Sequence, residues 1–177
     1  MVSEFRSERL RTLGGSAVPL PGPYRRTTNL GFLETCHPRI AEIYRYWDEK
    51  RDDRAMPSRG DIDPSEIKSF LPAIIIVDVV PTEPPNFVYR LVGTREVEAR
   101  GTDPTGRLVG EEWFGITAEE VLTNYRTVVE NRAVLLDTEY RNVLELQMRE
   151  AGTIFLPLSD DGETVSKILI YTEYVRL

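Results

Sequence analysis

The sequence predicts an α+β domain built on an antiparallel sheet of about five strands, and three observations lead there. Two β-branched, largely apolar stretches, 73–80 and 87–92, lie close together in mid-chain. An amphipathic helical segment follows at 117–132, and three more strand-like stretches fill the C-terminal third. Two strands, a helical crossover and a three-stranded meander place the strands antiparallel, with the crossover helices gathered on one face of the sheet.

The elements follow in order along the chain. Residues 1–30 are rich in Gly and Pro (Gly14-Gly15, then Pro19, Pro21, Gly22 and Pro23) and read as a flexible arm, with Tyr24-Arg25-Arg26 as a solvated basic run. The folded domain is expected over 31–177. Ile40, Ile43, Tyr44 and Trp47 recur at helical spacing after Pro38, with Glu42, Arg45, Asp48 and Glu49 opposite, so an N-terminal amphipathic helix is predicted over 38–50. The stretch 54–64 breaks it. Asp63 as N-cap, Pro64 in the first helical position and Glu66 in the first turn predict a short helix over 64–70.

The strands at 73–80 and 87–92 are joined by a Pro-rich turn at 81–86 and suggest a hairpin. In the second, Phe87, Tyr89 and Leu91 alternate with Val88, Arg90 and Val92, and either set could face inward. A short helical piece at 95–100, a turn region at 101–106 and a loop through Trp113 and Gly115 lead to the longer helix. There Thr117 is the N-cap, Glu120 stands at the capping-box position, and Val121, Leu122, Tyr125, Val128 and Val129 form the apolar stripe. The last strands are expected at 134–143, within 144–158 and at 165–175, with turns at Glu150-Ala151-Gly152 and Ser159-Asp160-Asp161-Gly162.

Composition narrows the function classes. The chain has 177 residues, 41% hydrophobic and 29% charged, which suits one domain able to bury a core. A formal charge of -7 disfavours attraction to a phosphate backbone and argues against direct nucleic-acid binding. One cysteine, Cys36, rules out an internal disulfide and a multi-cysteine metal site, which fits a reducing, cytoplasmic setting. No apolar run approaches the roughly 20 residues that span a bilayer, and the N-terminal stretch lacks the apolar segment of a secretory signal.

Four strings carry a family likeness: 56–64 (MPSRGDIDP), 87–94 (FVYRLVGT), 101–106 (GTDPTG) and 156–162 (LPLSDDG). Over roughly 37–175 the chain resembles a bacterial family of stand-alone PAS-like proteins. The resemblance implies a PAS-like five-stranded antiparallel sheet with helices on one face plus the N-terminal helix, a sensor without a fused output domain, and no inherited catalytic residues.

A curved PAS sheet roofed by helices can enclose a cavity, and the ligand-binding candidates are Tyr89, Arg90, Tyr125 and Met56. Tyr89 and Tyr125 would supply ring faces and hydroxyls, and Met56 an adaptable apolar surface, although core packing explains these residues equally well. A buried Arg90 would need a carboxylate, from a ligand or from the protein; otherwise it points to water. The expected ligand is small and partly apolar, with a protein partner in a signalling pathway as the output.

The cofactor is left unknown. Haem needs a histidine on the helix over the sheet, and 117–132 has none; a covalent flavin adduct needs a cysteine after the second strand, and 95–106 has none. His37, the single histidine, reads as a helix cap rather than a thiolate activator or metal ligand beside Cys36, and no metal site is expected. A competing reading is a ligand-free homodimerisation or adaptor module in which Tyr44 and Trp47 lie exposed as interface anchors. An enzyme of cone-shaped α+β type ranks below both, since Glu111-Glu112 lack a base partner and no phosphate loop or nucleophile elbow occurs.

Overall fold

The apolar residues spaced three and four apart after Pro38 do form a helix, α1 (Pro38–Arg51), and Ile40, Ala41, Ile43, Tyr44 and Trp47 are its buried side. His37 caps it, the ring Nδ1 accepting from the Arg39 N–H at 3.3 Å. The computed structural model describes residues 26–114, 117–138, 142–143 and 146–177. Most of the arm expected over 1–30 lies outside these residues. Its last part is structured, because strand β1 (Arg26–Thr27) pairs with strand β4 (Leu135–Asp137).

The short helix expected over 64–70 does not form. The Asp63 carboxylate does accept from the Ser65 N–H at 2.8 Å, as an N-cap does, but no helix propagates from it, and a series of turns runs on into a 3₁₀ turn at Leu71–Ala73. This segment is tied to α1 through Glu66, whose carboxylate takes Lys50 Nζ at 2.7 Å and the Tyr46 hydroxyl at 2.9 Å.

The remaining strands are β2 (Ile74–Val80), β3 (Asn86–Val92), β5 (Asn142–Val143), β6 (Met148–Leu158) and β7 (Lys167–Arg176). Every pairing is antiparallel, in the order β1-β4-β6-β7-β2-β3, with β5 also on β6. The five expected strands are all present, the third of them divided into β4 and β5. Helices α2 (Thr94–Arg100) and α3 (Ala118–Asn131) form the crossover. The Thr117 hydroxyl caps α3 by accepting from the Glu120 N–H at 3.1 Å.

Alternation along the strands shows which face each helix covers. Tyr125 of α3 lies edge-on to Phe155, and Tyr174 reaches Glu96 of α2, so the face carrying Thr153, Phe155, Ile170, Thr172 and Tyr174 is roofed by the crossover. Helix α1 and the 56–73 segment cover the opposite face. There Phe70 packs edge-on against Tyr171, Arg39 reaches the Tyr171 hydroxyl at 3.2 Å, and the Trp47 indole N–H donates to the Pro157 carbonyl at 2.8 Å. Both faces are therefore buried, which is why Ile74, Ile75, Ile76 and Val77 are consecutive buried residues rather than an alternating pattern.

Two irregularities correct the sequence reading. Glu150-Ala151-Gly152 is not a turn but a bulge inside β6, where Glu150 pairs with Tyr174 and Gly152 with Glu173. Gly152 has φ of +148°, and a Cβ there would stand 3.0 Å from Ile40 Cδ1, so glycine allows α1 to approach the sheet. In β3, Val77 pairs with Tyr89 but Ile76 with Leu91, so Arg90 is the extra residue of a second bulge. Tyr89 faces the crossover helices and Leu91 the other side, instead of sharing one face.

Candidate functional site

Between the sheet and α2/α3 lies a cavity of about 40 Å³, room for roughly three or four waters at the ~10–15 Å³ that each needs. Its walls combine apolar groups, including Val121, Phe155 and Ile170, with a concentration of polar ones: Tyr89, Glu96, Arg100, Asn124, Glu150 and the Thr153–Thr172 pair. Helix α2 supplies Glu96 and Arg100 from successive turns, four residues apart and therefore on one face. Both are inside the protein, with side chains 2% and 8% exposed.

The charges are arranged around two tyrosines. The Tyr174 hydroxyl donates to Glu96 Oε1 at 2.7 Å, while Arg100 lies 3.7 Å from Glu96 Oε2 and donates to the Tyr89 hydroxyl at 3.2 Å. Tyr89 in turn donates to the Glu112 carbonyl at 3.3 Å. The Arg100 guanidinium also stands over the rings of Tyr89 and Phe114, 5.2 and 5.1 Å from their centroids. Burial works against the Arg100 charge, but Tyr89 and Glu96 outweigh it and hold the pKa above its ordinary value. Burial, reinforced by the charges of Glu96 and Glu150, pushes the Tyr174 hydroxyl well up, so it stays a donor.

Asn124 joins this cavity to the sheet edge. Its Nδ2 donates to Asp137 Oδ2 at 2.7 Å, and Arg26 Nε lies 3.8 Å from the same oxygen. A second Arg26 nitrogen donates to the Glu120 carbonyl at 3.1 Å, so β1, β4 and α3 meet at one buried carboxylate. Asn124 is 5% exposed, and among the described residues its Oδ1 accepts no hydrogen bond. A buried amide oxygen without a donor costs about 1–3 kcal/mol, so the cavity wall offers an acceptor that a ligand or water can satisfy.

The residues singled out from the sequence divide into two groups. Tyr89 and Tyr125 line this cavity. Met56 is fully buried and does not line it, and Arg90 is 68% exposed and pairs with Asp78, which Lys167 also contacts at 2.8 Å. Tyr44 and Trp47, expected as exposed interface anchors, are 8% and 5% exposed, because the stripe that carries them is the side of α1 that packs on the sheet. Sequence reasoning missed Glu96, Arg100, Asn124, Glu150 and Tyr174. For Asn124 a signal existed: three residues after Val121 and four before Val128, it is a polar residue on an otherwise apolar stripe.

No group of three or more His, Cys, Asp or Glu residues placed to hold a metal occurs among the described residues, and none of their helices is long and apolar enough to cross a membrane.

A β3-β2-β7-β6-β4 antiparallel order, with crossover helices roofing a polar cavity, defines a PAS-type sensory module. The chain belongs to the PAS domain family, whose model matches residues 35–171. That family comprises sensory and signalling domains that are typically not enzymes. No curated protein and no solved structure gives a significant match to this chain.

Proposed function

We propose that this domain senses a small, partly apolar molecule bound between the sheet and helices α2 and α3, and passes the signal to a protein partner. The observation that carries the reading is Asn124 Oδ1, a buried acceptor at the wall of a cavity that also holds Arg100 and apolar surface from Val121, Phe155 and Ile170. A fitting ligand has a donor for Asn124 and a short hydrocarbon part. At about 40 Å³ the cavity is too small for most such molecules, so entry has to move α2 or α3 outward. Movement of α3 would reach β1 through the carboxylate of Asp137, which Asn124 and Arg26 share. The β1 end of the domain is then the output surface. A homodimer through Tyr44 and Trp47 gains no support, since both are buried.

The test is a thermal-shift and native mass-spectrometry screen of small polar and amphiphilic compounds against the wild type and Asn124→Leu. A ligand at 100 times its Kd adds about 2.7 kcal/mol, or roughly 5–11 °C for a domain of this size. The reading expects at least one compound to stabilise the wild type and to lose its effect in the variant. If every stabilising compound acts equally on both proteins, Asn124 and the cavity it lines are not the binding site.

A further inference from the structure

A recess roomier than the one beneath α2 and α3 lies on the other side of the sheet. Ile62, Ile67 and Leu71 of the 56–73 segment form one wall, Ile76 and Leu169 the floor, and Leu91 the far lip of an open apolar groove of about 320 Å³. That volume lies at the lower end of small-molecule sites. The groove exists because of two local features already described. The bulge at Arg90 turns Leu91 onto this face, where it is 41% exposed. The turns at 64–70 place Pro64 and Ile67 along its wall. Gly93 closes the groove's end, since a Cβ there would stand 2.4 Å from the carbonyl oxygens of Leu71 and Pro72.

One cation stands at this groove. Arg59 lines it, gives one N–H to the Ile62 carbonyl at 3.0 Å, and forms no ion pair among the described residues. The nearby Asp61 carboxylate is engaged by Ser58 and by Arg54 at 2.9 Å. A guanidinium without a carboxylate partner among the described residues, beside an apolar trough, matches an anion with a hydrocarbon body. Thr94 also lines the groove. We infer that this groove is a second ligand site, separate from the α2/α3 cavity, that takes an amphipathic monocarboxylate: the carboxylate on Arg59, the aliphatic chain over Ile76 and Leu169. A macromolecular partner is a poorer match, because a stable protein interface needs about 800 Å² per partner, and Leu91 is the one strongly exposed large apolar residue at this recess.

The experiment titrates octanoate, with 1-octanol as the uncharged control, into the methyl-labelled full chain and follows it by NMR. Octanoate is expected to shift the methyls of Ile62, Ile67, Leu91 and Leu169 saturably, with 1-octanol weaker by roughly tenfold or more, as loss of a charge-assisted contact implies. Arg59→Gln should bring octanoate down to the level of octanol, and Leu91→Trp should block both probes. Urea midpoints confirm that each variant is folded; Arg59→Lys, which keeps the charge, serves if Arg59→Gln is not, and is expected to bind octanoate better than octanol. Several results overturn the inference: no saturable shifts, equal binding of octanol, an unchanged affinity in Arg59→Gln, or shifts at Val121 and Ile170 instead. So does light scattering that shows a dimer lost in Leu91→Trp, since a second copy would then cover the groove.

Discussion

Trp47 offers the sharpest check on how the N-terminal helix is used. Its indole is buried against the sheet, 6.0 Å from the Tyr44 ring, and its N–H is the donor to the Pro157 carbonyl. Trp47→Ala removes the ring and opens a cavity, which costs about 3–5 kcal/mol. Trp47→Phe keeps much of the packing but leaves a buried carbonyl unsatisfied, a loss of about 1–3 kcal/mol. For a domain of this size the alanine change lowers Tm by roughly 6–20 °C. Urea unfolding followed by circular dichroism gives both numbers, and light scattering gives the oligomeric state. The expected outcome is a large loss of stability in the order Ala, then Phe, with the oligomeric state unchanged. A stable Trp47→Ala protein whose mass in solution falls by half would refute the packing argument and restore Tyr44 and Trp47 as interface residues.

The same reasoning extends to other positions. Tyr174→Phe removes the donor to a buried Glu96 oxygen and should cost about 1–3 kcal/mol, with a double-mutant cycle against Glu96→Gln showing coupling. Gly93→Ala forces a Cβ into two backbone carbonyls and should destabilise by about 1–3 kcal/mol or more, whereas Gly110→Ala, whose nearest neighbour is the flexible Leu122 Cδ1 at 3.5 Å, should stay within ~0.5 kcal/mol by denaturant midpoint. Asp61 accepts from the Ser58 N–H, the Ser58 hydroxyl and Arg54, which lower its pKa from 3.8 to about 2. Because the folded value is the depressed one, the stabilisation it gives is present above about pH 4 and is lost as the pH falls towards 2. A carboxyl NMR titration should place its midpoint near 2, and Asp61→Asn should flatten that part of the stability profile.

The order of strands and helices could be read from the sequence because each signal was local. Val121, Tyr125 and Val128 mark α3, and the β-branched run after Ala73 marks β2. That same run of four consecutive buried residues also held the information that both sheet faces are covered, since a strand with one solvated face alternates. The site was harder to see because it depends on pairing at long range. Glu150 looks like part of a turn until its pairing with Tyr174 places it inside a bulged strand, and Arg90 looks like an inward candidate until the bulge in β3 is known. Glu96 and Arg100 look like the solvated side of a short helix, and only the sheet lying against that side turns them into a buried pair. Tyr89 and Tyr125 were found because large aromatics between apolar neighbours mark interior positions whatever the topology.

The central claim is that the polar cavity at Asn124, not the apolar groove alone, is where the signal is read. Its most direct test is a crystal structure of the full chain with a compound whose stabilising effect is lost in Asn124→Leu. Electron density is expected between α3 and the sheet, with a donor atom within about 3.2 Å of Asn124 Oδ1. That compound bound elsewhere, with Asn124 and the α2/α3 roof unmoved, would contradict the claim.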